Sequence, residues 1–177
     1  MRFAYLIGKA ALLVVVVSIP VMSQGTGYIK TKIHPGRTGV FVDGKYVGPA
    51  QNFGIAKKYQ VAAGEHEIRL SDPRYEDVVV RVTVLSGKTT KMNQALKELP
   101  APKPPYGRIR TISADKFAAV YVNGKYMGHA GEFNNGVQGL LLNPGTYTIR
   151  IVPEGGGAGY EEQVKLDADK EVIVRAK

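Results

Sequence analysis

From Tyr28 onward, polar and apolar residues alternate with a period of two. In Tyr28–Ile33, Ile29, Thr31 and Ile33 share one side while Tyr28, Lys30 and Lys32 share the other. His66, Ile68 and Leu70 stand opposite Glu67 and Arg69, and Tyr147, Ile149 and Ile151 repeat that arrangement. Val78, Val80, Val82 and Val84 line one face of a further run, with Arg81 and Thr83 opposite and Val79 interrupting the polar side. Side chains of a strand point alternately to its two faces, so each run predicts a half-buried β-strand. The segment Thr89–Leu99 also admits a helical reading. Its counterpart near the end of the chain, Glu171–Lys177, reads as a strand, and both are taken as strands.

The pattern occurs twice. VFVDGKYVG (Val40–Gly48) returns as VYVNGKYMG (Val120–Gly128) at an offset of 80, and GYIKTKI (Gly27–Ile33) returns as GRIRTIS (Gly107–Ser113). AAGEHEIRL (62–70) matches NPGTYTIRI (143–151) at 81, and Tyr75-Glu76 aligns with Tyr160-Glu161 at 85, the growth assigned to the glycines of Pro153–Gly159. Repeats in one order over nearly the whole chain are the mark of a duplicated unit. The expected fold is all-β: two tandem small antiparallel β-sandwiches, at 24–99 and 107–177, each with six or seven strands. Between them, 100–106 is rich in proline, with Pro100, Pro102, Pro104 and Pro105. Proline fixes φ and lacks an N–H, so this linker should run extended and hold the domains apart, spanning roughly 20 Å.

Asp43-Gly44 and Asn123-Gly124 lie at the centres of the repeated strings. A two-residue type I′ turn requires positive φ at both central residues, which Asp-Gly and Asn-Gly tolerate best. The string is therefore read as a hairpin tip, with Gly48 and Gly128 at the exit bend. Replacement of Asp43 by Asn123 argues against a shared catalytic acid. The string HPGRTGVFVDGKYVG, with AAGEHEIRL and RYEDVVVRVTV after it, resembles the PEGA-domain family. Pro35-Gly36-Arg37-Thr38-Gly39 stands where the name-giving motif would be, and Ser113-Ala114-Asp115-Lys116 has lost it. Asn143-Pro144-Gly145 keeps the family's Pro-Gly turn and Gly159-Tyr160 its Gly-Tyr, whereas Ala62-Ala63-Gly64 and Arg74-Tyr75 keep only part of each. The resemblance implies a small β-sandwich of exported and surface proteins, used as an adhesive or interaction module, with no catalytic activity or fixed ligand.

The first 23 residues are set apart from the fold. Arg2 and Lys9 precede the apolar run Ala10–Val17, Pro20 interrupts it, and Val21-Met22-Ser23 suits cleavage before Gln24. This is the pattern of a secretory signal peptide. Its apolar stretch of about 13 residues is short of the roughly 20 that span a bilayer. An uncleaved anchor is the alternative, and the only route by which a membrane partner is expected. Export is thus expected, to the periplasm or the outside of the cell. The chain has no cysteine, so no disulfide can contribute. Residues 24–177 hold 22 basic and 15 acidic residues, a net +7, concentrated in the first repeat with 12 basic against 7 acidic over 24–99. This bias favours anionic partners such as lipid headgroups or acidic polysaccharide over nucleic acid.

Catalytic signals are weak. His34, His66 and His129 are too far apart in sequence for a zinc-ligand spacing. Asp167–Glu171 lacks the glycine and the twelfth-position glutamate of a calcium loop. Gly155–Gly159 precedes a strand, so no helix N-terminus is there to hold a phosphate, and it reads as a flexible hairpin loop. No serine stands in a G-x-S-x-G elbow. No catalytic residue, metal or cofactor is expected. The candidate surface residues are Lys45 and Tyr46 with their repeats Lys125 and Tyr126, where a tyrosine beside a cation could anchor a protein or stack on a sugar. A tyrosine serving as a cross-strand partner within its hairpin is the simpler reading. The expected role is a non-catalytic interaction or structural module of the envelope or surface, contacting other proteins or self-assembling. The alternative is a polysaccharide- or peptidoglycan-binding protein.

Overall fold

A computed structural model describes residues 25–55, 57–100 and 103–176. The expected signal peptide and its cleavage point lie outside these residues. Among the described residues fourteen strands follow one another, seven per repeat. The first repeat comprises β1 (Thr26–His34), β2 (Gly39–Val42), β3 (Lys45–Pro49), β4 (Tyr59–Ala62), β5 (Gly64–Ser71), β6 (Val78–Val84) and β7 (Thr89–Ala95). The second comprises β8 (Gly107–Ile112), β9 (Ala119–Val122), β10 (Lys125–His129), β11 (Leu140–Leu142), β12 (Gly145–Val152), β13 (Tyr160–Leu166) and β14 (Glu171–Arg175). A short 3-10 turn follows β3 at Ala50–Phe53 and β10 at Ala130–Glu132.

Each repeat is a two-sheet sandwich. In the first, a four-stranded sheet in the order β3-β2-β5-β6 covers a three-stranded sheet β4-β1-β7. The second repeats the order as β10-β9-β12-β13 over β11-β8-β14. Alternating residues fill the gap between sheets. Ile29, Val40, Val42, Ile68, Leu70, Val84 and Met92 close one core, and Ile109, Val120, Val122, Ile149, Ile151, Leu166 and Val174 the other. A buried threonine crosses each core at the same place, Thr31 donating to the Ala50 carbonyl at 2.6 Å and Thr111 to that of Ala130 at 3.0 Å. Both segments that were ambiguous or terminal, β7 and β14, are strands.

Three sequence expectations are corrected. The three-stranded sheets are mixed, since β1 pairs with β7 and β8 with β14 in parallel. Alternation reports which face a residue takes but not which way a neighbouring strand runs. The equivalence of Tyr75 and Tyr160 also fails. Leu70 pairs with Val78 and Ile151 with Tyr160, so Tyr160 stands where Val78 stands, at an offset of 82. Tyr75 lies before β6, bridged to Glu98. The glycine-containing loop thus adds a single residue, and the shared tyrosine was a coincidence of spelling. Lastly, the repeats are not held apart: they share a buried aromatic cluster. The linker folds back on the second repeat, where the Asn143 amide donates to the Lys103 and Pro105 carbonyls at 3.0 and 2.7 Å.

Candidate functional site

The repeated hairpin builds the junction between the two sandwiches. Asp43 and Gly44 have φ of 50° and 78°, and Asn123 and Gly124 have 49° and 79°, the conformation of a type I′ turn. The turn residue also ties down a neighbouring strand. Asp43 Oδ1 accepts the Glu67 amide at 3.0 Å, and Asn123 Oδ1 accepts the Thr148 amide at 2.9 Å. A carboxylate and an amide oxygen serve equally here, which explains why the two copies differ at this letter. In the first copy the carboxylate does more. Asp43 Oδ2 lies 2.7 Å from His66 Nδ1, while His66 Nε2 lies 2.9 Å from the Ala62 carbonyl. With acceptors on both ring nitrogens the imidazolium is favoured, so His66 is raised and Asp43 lowered, chiefly through their mutual hydrogen bond.

Beyond the turn, each hairpin bulges. Tyr46 pairs with Phe41 and Gly48 with Val40, leaving Val47 as the extra residue; Tyr126, Tyr121, Gly128 and Val120 repeat this around Met127. Phe41 and Tyr46 therefore project from the outer face of their sheet, opposite to Val40 and Val42, and meet Tyr126 of the other sandwich. Ring centroids are 5.4 Å apart for Phe41–Tyr46, Phe41–Tyr126 and Tyr46–Tyr126, and 5.9 Å for Tyr121–Tyr126. Tilted and edge-to-face rings at such distances attract beyond their area burial. Arg69 lies over the Phe41 ring at 3.7 Å, and its equivalent Arg150 over Tyr121 at 5.0 Å. The Tyr46 hydroxyl crosses the junction to donate to the Phe117 carbonyl at 3.1 Å. Tyr126 lies against Gly39, where even a methyl group would come within 2.6 Å of its ring.

Charged groups frame the aromatic seam. Arg37 Nε sits 2.8 Å from the buried Asp72 and 3.7 Å from Glu132 of the second repeat. Burial pushes the Glu132 carboxyl up to about 7 and raises Asp72 as well, against the pull of Arg37. His129, 3.4 Å from Glu132, is lowered by its burial. On the other flank, the Asn52 amide donates to Glu154 at 3.1 Å. Glu154 belongs to the glycine loop between β12 and β13, so that loop contributes a contact between domains that its composition did not announce.

The four candidate residues thus separate into two kinds. Tyr46 and Tyr126 are 4% and 3% exposed and occupied with each other, which removes them as contacts for an outside glycan. Burial raises both phenols above the ordinary tyrosine range. The simpler reading, a cross-strand partner, holds for each, and the domain junction comes in addition. Lys45 and Lys125 remain exposed beside the turns. Sequence reasoning missed the junction itself, although Phe41 and Tyr121 breaking the polar side of their strands was a legible trace of it. Among the described residues, no group of three or more histidine, aspartate or glutamate side chains is placed to hold a metal ion.

No curated protein matches this chain. Among solved structures, the Bacillus anthracis TIE protein is similar at 14% identity with a TM-score of 0.30. That match covers 87% of this chain and 34% of the other, so this chain spans about a third of its length. Among the described residues, no helix is long and apolar enough to cross a membrane. The family model that matches is the PEGA domain, over residues 28–100, the extent of the first sandwich with β1–β7. Residues 28–100, which make up the first repeat, are therefore similar to the PEGA-domain family.

Proposed function

We propose that this protein is an exported, non-catalytic interaction and structural module of the cell envelope or surface, acting through contacts with other proteins or by self-assembly. PEGA is a non-enzymatic domain family of extracellular and surface modules. The observation that carries the reading is the aromatic seam. It consumes the most adhesive side chains of both hairpins to hold two sandwiches in one register. Two domains in a fixed relation present their outer faces as one surface, which suits bivalent contact better than a tether would. The edges of seven-stranded sandwiches offer unpaired backbone groups to a neighbouring chain.

Size-exclusion chromatography with light scattering on the full chain, with and without envelope extract, tests this. The expected result is a defined increase in mass, either with concentration or with extract. A mass equal to one chain under every condition overturns the reading. A glycan partner is favoured by a separate observation, the cationic outer face that Lys30, Lys32 and Lys91 give to β1 and β7.

A further inference from the structure

Two lysine-bearing stretches of the first repeat that are distant in sequence come together on one sheet. Lys30 and Lys32 project from the middle strand β1 on the side away from the core that Ile29 and Thr31 enter. The parallel register sets Lys91 of β7 directly beside Lys30, and Asn93 beside Lys32. From the β4 side, Lys58 reaches over the Tyr28 ring at 5.3 Å, and Gln60 pairs with Tyr28. Residues two apart on a strand stand about 7 Å from each other and adjacent strands about 4.8 Å. Four ammonium groups therefore share a patch one sheet wide.

No residue of β1, β4 or β7 is acidic. Among the described residues none of these four lysines forms an ion pair. The second repeat shows what a sheet without this task looks like. Where Thr89 stands beside Tyr28, Glu171 stands beside Arg108, and where Lys91 stands beside Lys30, Ile173 stands beside Arg110. Glu171 pairs with Arg108 at 3.7 Å and Arg110 at 3.3 Å, closing its own charges. Like charges directly opposite across a strand pair are destabilising. The first repeat carries such a pair, Lys30 beside Lys91.

We propose that the outer face of β4-β1-β7 binds an acidic polysaccharide, with Lys30, Lys32, Lys58 and Lys91 contacting its negative groups and Tyr28, Gln60, Thr89 and Asn93 its rings and hydroxyls. This rests on the reading of the chain as an exported interaction module and names one partner for it. Charge complementarity selects a polyanion. The choice of polysaccharide over a membrane surface follows from what shares the face. The large exposed apolar residues, Ile55, Val79, Leu85, Val137, Leu141 and Ile173, lie off β1, β4 and β7, whereas membrane binding gains from apolar side chains that insert. The face offers amides, hydroxyls and one aromatic ring instead.

Calorimetric titration of the full chain with polygalacturonate, neutral dextran and vesicles of phosphatidylglycerol tests this directly. Binding to polygalacturonate that weakens with salt, and none to dextran, is expected. The triple variant Lys30→Gln/Lys32→Gln/Lys91→Gln should lose about tenfold in affinity or more, at up to a few-fold per exposed charge pair. Thr89→Glu, which restores the carboxylate of the second repeat without removing a lysine, should weaken binding in the same direction. A control triple, Lys103→Gln/Lys165→Gln/Lys170→Gln, removes the same charge at exposed positions off this face and should retain nearly full affinity. Unfolding curves of every variant establish that each is folded. Equal losses in the two triples, binding to vesicles in preference to polygalacturonate, or no binding at all each overturn the proposal. Its failure leaves the interaction-module reading standing if extract still raises the mass of the triple variant in light scattering. The reverse result, glycan binding with an unchanged mass in extract, sinks that reading alone.

Discussion

The two repeats share their strand order, their hairpin turns and their buried threonines, and they differ where charge and size meet the surface. The first copy has Gly39 where the second has Ala119, Asp43 for Asn123, and an uncompensated lysine face where the second closes its arginines with Glu171. The shared features are demanded by the backbone: φ above zero at the turn, an acceptor for the next strand's amide, and apolar residues every second position. The differences are demanded by neighbours outside the domain. Gly39 is small because Tyr126 of the other copy occupies the space a side chain would need. A duplication therefore separates what a sandwich requires from what each copy does.

The largest perturbation would be to remove the seam that makes the copies unequal partners. Tyr46→Ala with Tyr126→Ala should uncouple the sandwiches, since deleting a buried aromatic ring costs about 3–5 kcal/mol. Small-angle scattering should record a larger radius of gyration, and thermal unfolding should split into two transitions. A single unchanged transition would mean the seam contributes nothing to coupling. Glu132 comes next. Its folded pKa of about 7 lies above its ordinary 4.5, so it favours folding most below pH 4.5 and loses that contribution as pH rises to 7 and beyond. The total is on the order of 3 kcal/mol at 1.36 kcal/mol per pKa unit. His129 acts with the opposite sign, since its neutral form is favoured and stability falls as pH drops below its ordinary value. Denaturant titrations of wild type and Glu132→Gln between pH 4.5 and 8 isolate the carboxyl: the wild type should lose stability relative to the variant as pH rises.

Gly39→Ala should then cost about 1–3 kcal/mol by overpacking against the Tyr126 ring. Gly39 does not have positive φ, so combining the change with Tyr126→Ala should relieve most of the penalty. Additive costs in that double-mutant cycle would contradict the contact. The smallest effects concern the turn. Asp43→Ala should lose about 1 kcal/mol with its acceptor for the Glu67 amide. Asp43→Asn should match the second copy at high pH. It should fall behind wild type at lower pH, where the His66 imidazolium is present; that contribution is complete below the ordinary histidine value and is lost as pH rises through the raised one. Equal stability of Asp43→Asn and wild type from pH 5 to 9 would exclude the ion pair.

Much of this molecule was legible in its residues alone. Alternation located the strands, the recurrence of FVDGKYVG and YVNGKYMG exposed the duplication, and Asp-Gly and Asn-Gly specified their turns, because each depends on a few neighbouring residues. The strands' partners and directions depend on contacts far along the chain. Only the fold could therefore pair β1 with β7 in parallel, bring Lys91 beside Lys30, and move the equivalent of Tyr160 from Tyr75 to Val78. The tyrosines carry the same lesson. A Lys-Tyr pair after a turn is chemically suited to hold a sugar or another protein, and local sequence cannot say which surface it will meet. Here it met its own repeat, since two outward aromatic patches on one chain find each other at a high effective concentration. Sequence determined the two sandwiches; the tertiary structure decided that they face each other and which sheet remains open.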